Sequence, residues 1–192
     1  MSLTNALSAG VLATVAALSV ASSAAAFPIA TTGEGLSVIV GNTGDVIATY
    51  LGNSAGYSND LFLERPGDDL FIFNNHESTV GTTFNLGSFL AGTELVFRLH
   101  VRNTGDDFFT GPAERNPGEQ AHARVQSEYQ PGETLVSFED LLDGPFDYND
   151  LSFSFTNTKA MDLPPSAVPV PASALLLLSG LGAVAAIRRR VR

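Results

Sequence analysis

The sequence predicts an antiparallel β-sandwich, jelly-roll-like, bracketed by two apolar terminal segments. Three observations point there. Between residues 27 and 163 the apolar side chains recur with a period of two, in short runs. Gly, Asn, Asp and Pro separate those runs at spacings of roughly 8 to 12 residues, the rhythm of a sandwich rather than of a solenoid or propeller. No amphipathic helix pattern interrupts the stretch, and most of the 13 phenylalanines fall in the runs, where they can fill a layer between two sheets.

Taken in order, residues 6–20 are apolar and Ala-rich, and Ala24-Ala25-Ala26 supplies the small residues of a cleavage site before Phe27. Residues 1–26 therefore read as a secretory signal peptide, although no Lys or Arg precedes the apolar run. Residues 36–40 and 45–51 flank Gly41-Asn42-Thr43-Gly44, a hairpin signature. Residues 61–64 and 70–73 flank Arg65-Pro66-Gly67-Asp68, a second turn between strands. The clearest alternation covers residues 94–102, with Leu95, Phe97, Leu99 and Val101 on one face and Glu94, Arg98, His100 and Arg102 on the other. Residues 134–138 and 151–155 repeat the period of two. From Asp162 to Val170, prolines and small residues form an extended linker. The domain organisation follows: signal peptide 1–26, sandwich 27–163, and a linker with a membrane segment over 164–192.

A body of about 137 residues is one domain, large enough for a hydrophobic core without staples. The chain has no cysteine, which excludes disulfides, thiolate chemistry and Cys-ligated zinc. All 20 acidic residues lie in the body, whereas four of the 10 basic ones are terminal arginines. Six positive charges against twenty negative leave the body at −14. Such a surface repels nucleic acid and anionic lipid, and favours calcium, cationic partners or simple solubility.

The C-terminus has three ordered parts: Val168-Pro169-Val170-Pro171-Ala172, an apolar run from Ser173 to Ile187, and Arg188-Arg189-Arg190-Val191-Arg192. From Val168 to Ile187 is about 20 residues, which at ~1.5 Å rise span roughly 30 Å, the hydrocarbon thickness of a bilayer. Arginines after such a helix hold its end in the cytoplasm. This arrangement resembles the PEP-CTERM class of bacterial sorting signals, in the variant that carries the VPxPA motif, with Val168, Pro169, Pro171 and Ala172 at its fixed positions. The resemblance implies an exosortase, a multi-pass membrane enzyme, as processing partner. It also implies transient residence in the inner membrane of a Gram-negative bacterium, followed by release to the cell surface, the extracellular matrix or a biofilm. A plain membrane anchor is the alternative, but it has no need of paired prolines.

The acidic stretch from Phe138 to Asp150 concentrates the chemistry. Five carboxylates and one amide oxygen fall within twelve residues with no basic residue among them. Packed together they repel unless a cation sits between them. A calcium ion takes six to eight oxygen ligands in flexible geometry, and the candidate ligands are Glu139, Asp140, Asp143, Asp147, Asn149 and Asp150. The EF-hand spacing is not matched, and a solvated loop screened by water remains the alternative. Residues 94–155 also resemble a bacterial exported domain of unknown function found in PEP-CTERM and RTX-type surface proteins. The resemblance rests on Phe108-Phe109-Thr110-Gly111-Pro112, Arg115-Asn116-Pro117, Ala121-His122-Ala123, Phe138-Glu139-Asp140-Leu141 and Asp147-Tyr148-Asn149-Asp150. It implies a β-rich fold and calcium at the acidic loop, and no established activity. Pro145 stands where that family often has an acidic residue. His122, within the match, reads as a hydrogen-bonded structural residue rather than a ligand.

Catalytic readings are weak. Gly52-Asn53-Ser54-Ala55-Gly56 fits G-x-S-x-G, but that motif needs a strand-to-helix elbow in an α/β-hydrolase, and strand-like sequence follows. His76, His100 and His122 show no H-E-x-x-H spacing. The expectation is a secreted, non-enzymatic surface or matrix protein, stabilised by calcium. One rival is a carbohydrate-binding or adhesive module contacting extracellular polysaccharide, for which four tyrosines and no tryptophan are thin provision. The other is a matrix-polysaccharide hydrolase built on two of the many carboxylates.

Overall fold

The structure, a computed structural model, describes residues 26–162. The expected signal peptide up to residue 25, and the tail from residue 163 with Val168, Pro169, Pro171 and Ala172, lie outside the described residues. The fold is all-β, with strands β1 (Ser37–Val40), β2 (Gly44–Asn53), β3 (Asn59–Leu63), β4 (Leu70–Asn74), β5 (Thr83–Phe89) and β6 (Glu94–Leu95) in its first half. The second half contributes β7 (Phe97–Val101), β8 (Asp107–Phe109), β9 (Ala123–Gln126), β10 (Glu133–Phe138), β11 (Leu151–Thr156) and β12 (Thr158–Met161). Helix among the described residues is confined to the 3-10 turns Ala113–Arg115 and Pro117–Glu119.

The strands form three antiparallel sheets, in the orders β5-β2-β11-β10-β9, β4-β3-β7-β8 and β12-β1-β6. Alternation in the sequence decides which faces meet. Val46, Ala48 and Tyr50 of β2 point inward, as do Phe97, Leu99 and Val101 of β7. The five-stranded and four-stranded sheets meet through their aromatic residues. Phe97 of β7 stacks on Phe155 of β11, with ring centroids 3.9 Å apart. Phe73 of β4 lies parallel to Phe153 of β11 at 6.0 Å, and Tyr50 of β2 leans on both. Burying one such phenylalanine stabilises the fold by roughly 1.5–3 kcal/mol, so this layer holds the sandwich-like arrangement together.

One expected hairpin forms and the other does not. β3 pairs with β4 as the Arg65-Pro66-Gly67-Asp68 turn implies. β1 and β2, however, do not pair across Gly41-Asn42-Thr43-Gly44: β1 pairs with β12 and β6, whereas β2 pairs with β5 and β11. Asn157, in the left-handed region at the β11–β12 turn, diverts the chain. Its backbone oxygen accepts from the Gly41 N–H at 2.8 Å, its Oδ1 accepts from the Asn42 N–H at 3.0 Å, and its Nδ2 donates to the Asn42 oxygen at 2.7 Å. The segment therefore crosses between sheets instead of turning back.

β10 and β11 are buried on both faces, although their polar residues alternate as if exposed. The chain around Ala30 lies against β10, and residues Gly33 to Gly35 continue along the edge of β9. The Ala30 N–H donates to Ser137 Oγ, which also bonds Ser152 Oγ at 2.8 Å. Gly33 allows the close approach to β9, since a Cβ there would stand 2.0 Å from the Val125 carbonyl oxygen. Small hydroxyls that satisfy one another let the two strands sit in the middle of the sheet, and a rigid β10–β11 pair is what presents the acidic motif.

Candidate metal centre

β10 leaves the sheet at Phe138 and β11 enters it at Leu151, and these two residues are partners in the ladder. Antiparallel register then sets Glu139 next to Asp150, at the mouth of the intervening loop. The Asp140 N–H donates to Asp150 Oδ2 at 2.8 Å, and the Glu139 N–H donates to the His122 carbonyl at 2.9 Å. One carboxylate oxygen from each of Glu139, Asp140 and Asp150 lies within 4.8 Å of the others. Glu139 is 1 % exposed and Asp140 4 %, while Asp150 is half-buried.

Two neighbouring elements fix the group. In the β2–β3 connection the Ser54 hydroxyl donates to the Asn149 carbonyl at 2.8 Å and also meets Asn149 Oδ1, while the Ser54 N–H reaches the Asp150 oxygen at 3.1 Å. From the facing sheet, Asn59 of β3 is fully buried and donates through Nδ2 to Asp140 Oδ2 at 2.7 Å. Asn75 holds Asn59 in turn, accepting its N–H on Oδ1 at 2.8 Å. A cleft of about 270 Å³, lined by Gly56, Tyr57, Asp140, Leu141 and Asp150, leads from solvent to the carboxylates.

The electrostatics are those of a site short of positive charge. Burial, with the Asp150 charge behind it, pushes Glu139 up to about 8. Burial likewise lifts Asp140 to about 6 against the opposing pull of the Asn59 hydrogen bond. None of the three carboxylates makes an ion pair with Lys, Arg or His among the described residues. Glu139 Oε1 accepts from the Leu141 N–H at 3.3 Å, but Glu139 Oε2 and Asn59 Oδ1 are buried without a hydrogen-bond partner. Each such orphan costs about 1–3 kcal/mol if nothing fills its place. The three carboxylates, with Glu139 Oε2 unpartnered, form a cluster that could hold a metal ion, and all-oxygen donors suit a hard cation.

The six candidate ligands do not all converge. Glu139, Asp140 and Asp150 come together; Asp143 and Asp147 lie outside the group, exposed on the loop. Asn149 is spent on Ser54, which places the G-x-S-x-G serine as a clamp on the acidic loop. Asp147 Oδ1 accepts from the Asn149 N–H at 3.3 Å, closing a local turn. Phe108, His122 and Tyr148 pack beside the loop, whereas Asn116 brackets Phe109 and Arg115 bonds Glu94 and the Thr110 carbonyl. His122 is fully buried, stacks on Phe108 at 3.9 Å and meets Phe146 edge-on. Its pKa is lowered by burial, which keeps the ring neutral against the core. The Tyr148 hydroxyl donates to the Ala121 carbonyl at 3.0 Å, and the Arg124 guanidinium lies 4.0 Å over its ring. Burial raises the Tyr148 hydroxyl to about 12. Asn59 carries no motif signal at all, being far from the acidic stretch in the chain.

No family model, curated protein or solved structure matches this chain.

Proposed function

We propose that this chain is an exported, non-enzymatic surface or matrix protein whose jelly-roll-like sandwich is locked by calcium at Glu139, Asp140 and Asp150. One observation carries the metal reading: among the described residues, Glu139 Oε2 is buried without a hydrogen-bond donor and sits beside two further carboxylates, none of them paired with a cationic side chain. Carboxylates arranged this way gain stability when a divalent ion replaces the missing charge. The terminal segments support export: an Ala-rich leader, then VPxPA, an apolar helix length and an arginine cluster. On this reading an exosortase takes the chain at Val168, Pro169, Pro171 and Ala172 after the folded body has crossed the inner membrane.

Mass spectrometry of the extracellular form tests the sorting: both termini are expected to be trimmed, near Phe27 and near the proline motif. An untrimmed chain in the cytosol overturns it. Melting the protein with chelator and with millimolar calcium tests the lock, which fails if the two midpoints coincide.

A further inference from the structure

The acidic cluster belongs to one sheet, but the group that touches it from the other side does not. Glu139, Asp140 and Asp150 flank the β10–β11 junction of the five-stranded sheet, whereas Asn59 begins β3 in the four-stranded sheet. Asn59 is fully buried, and its amide group is held against the Asp140 carboxylate by the 2.7 Å bond from Nδ2. The other end of the same planar amide, Oδ1, has no donor. A buried amide oxygen without a donor is uncommon, because its desolvation is not repaid. Here the same amide bonds Asp140, a member of the carboxylate cluster, and a cleft lined by Asp140 and Asp150 opens to solvent beside it.

An asparagine side-chain oxygen is a standard calcium ligand. The Asn59 N–H and backbone oxygen are both engaged with Asn75, and Nδ2 also lies 3.4 Å from the Tyr57 oxygen. The side-chain oxygen alone is left over, from a residue whose backbone is pinned.

We propose that Asn59 Oδ1 completes the cation site as a neutral ligand from the opposing sheet, so that one hard divalent ion, calcium, staples the two sheets together at this end of the fold. The inference rests on the calcium reading of the three carboxylates and adds to it the fourth protein ligand and the mechanical consequence. Bound calcium spans β3 and the β10–β11 junction and satisfies both orphaned oxygens at once. It resists the parting of the two sheets, where a site confined to the loop would order only the loop.

The test is calorimetric titration of calcium chloride into the metal-stripped full-length chain, comparing the native protein with Asp150→Asn, Asn59→Ala and Asn59→Asp. The native chain is expected to bind one calcium ion and Asp150→Asn to lose it. Asn59→Ala is expected to weaken binding by roughly ten-fold or more. Asn59→Asp, which keeps an oxygen in the same place and adds a charge, is expected to bind at least as tightly as the native chain. Its metal-free melting point falls and its calcium-induced rise is larger than native. If Asn59 served only to hold Asp140 through Nδ2, Asn59→Asp would set carboxylate against carboxylate and lose calcium as well, which overturns the inference even if Asn59→Ala does not fold. Native-like affinity in Asn59→Ala, with Asp150→Asn still inactive, also overturns it and leaves the calcium reading intact. Absence of binding by the native chain removes both.

Discussion

The outward face of β3, β4, β7 and β8 and the β10–β11 junction both gather acidic side chains, but only the first supplies them with cations. On that face Arg98 bridges Asp69 and Asp107 at 2.7 Å each, His100 meets Asp107 at 3.0 Å, and Arg102 bonds Asp60 at 2.6 Å. At the junction, Glu139, Asp140 and Asp150 have no such partner among the described residues, although they are the more deeply buried set. With six basic residues for twenty acids in the body, most carboxylates must rely on water. A solvated carboxylate bears that easily; a buried one does not. The contrast locates the demand for an external cation at a single corner of the molecule.

Removing calcium is the harshest way to strain that contrast. An ion at a hundred times its dissociation constant stabilises the fold by about 2.7 kcal/mol, or about 10 °C in melting point for a domain this size. Chelator should therefore lower the midpoint by that order in differential scanning calorimetry, while leaving the arginine-paired face unaffected by calcium. An unchanged midpoint would reduce both regions to ordinary surface acids.

Proton uptake gives a smaller effect with a definite sign. An unfolded glutamate ionises near 4.5 and an unfolded aspartate near 3.8, whereas burial holds the Glu139 proton in the metal-free fold up to about 8 and that of Asp140 to about 6. Between those limits the folded state binds more protons than the unfolded one, so the contribution of these two groups to metal-free stability is full below about pH 3.8 and is lost as pH rises towards 8. Urea titrations with chelator at pH 5, 6.5 and 8 should show that decline, and calcium should flatten it. Glu139→Gln removes the charge altogether: the metal-free protein should gain about 1 kcal/mol at pH 8 and lose its calcium response, whereas a net loss of stability would mean the native carboxylate is already compensated.

How far these regions could be read from residues alone differs for physical reasons. β7 was legible because Phe97, Leu99 and Val101 alternate cleanly with Arg98 and His100, and the β3–β4 hairpin because Pro66 and Gly67 mark its turn. β5, β9 and β12 were not: β9 and β12 are four residues each, too short to establish a period, and the β2–β5 ladder shifts register between Asn85 and Gly87. The β1–β2 pairing was misread because Asn157, 115 residues beyond Asn42, captures the connecting segment. Three of the six acidic-loop residues converge because Phe138 and Leu151 are ladder partners, which only the strand register reveals. Asn59 was illegible: it approaches Asp140 across 81 residues and the space between two sheets.

On the paired face, Arg98→Met should cost about 1 kcal/mol, since it strands two partly exposed aspartates and gives up the guanidinium lying 4.4 Å over the Phe62 ring. That loss should shrink at high salt and be indifferent to calcium. A calcium-dependent loss would mean the two acidic regions communicate.

The smallest expected effect distinguishes a ligand from its support. Ser54 touches no carboxylate oxygen, yet its hydroxyl holds the Asn149 carbonyl and its N–H reaches the Asp150 backbone. In Ser54→Ala the backbone bonds persist, so the fold should lose only about 0.5 kcal/mol, the ordinary net value of one exposed hydrogen bond. The Asp150 carboxylate then hangs from a looser strand end. Calcium affinity should fall by a few-fold, through faster dissociation rather than slower binding, because the cleft beside Gly56 and Tyr57 stays open. Stopped-flow release into a fluorescent chelator measures that rate directly. An unaltered rate would show that the β10–β11 ladder alone positions Asp150 and that Ser54 merely fastens a loop.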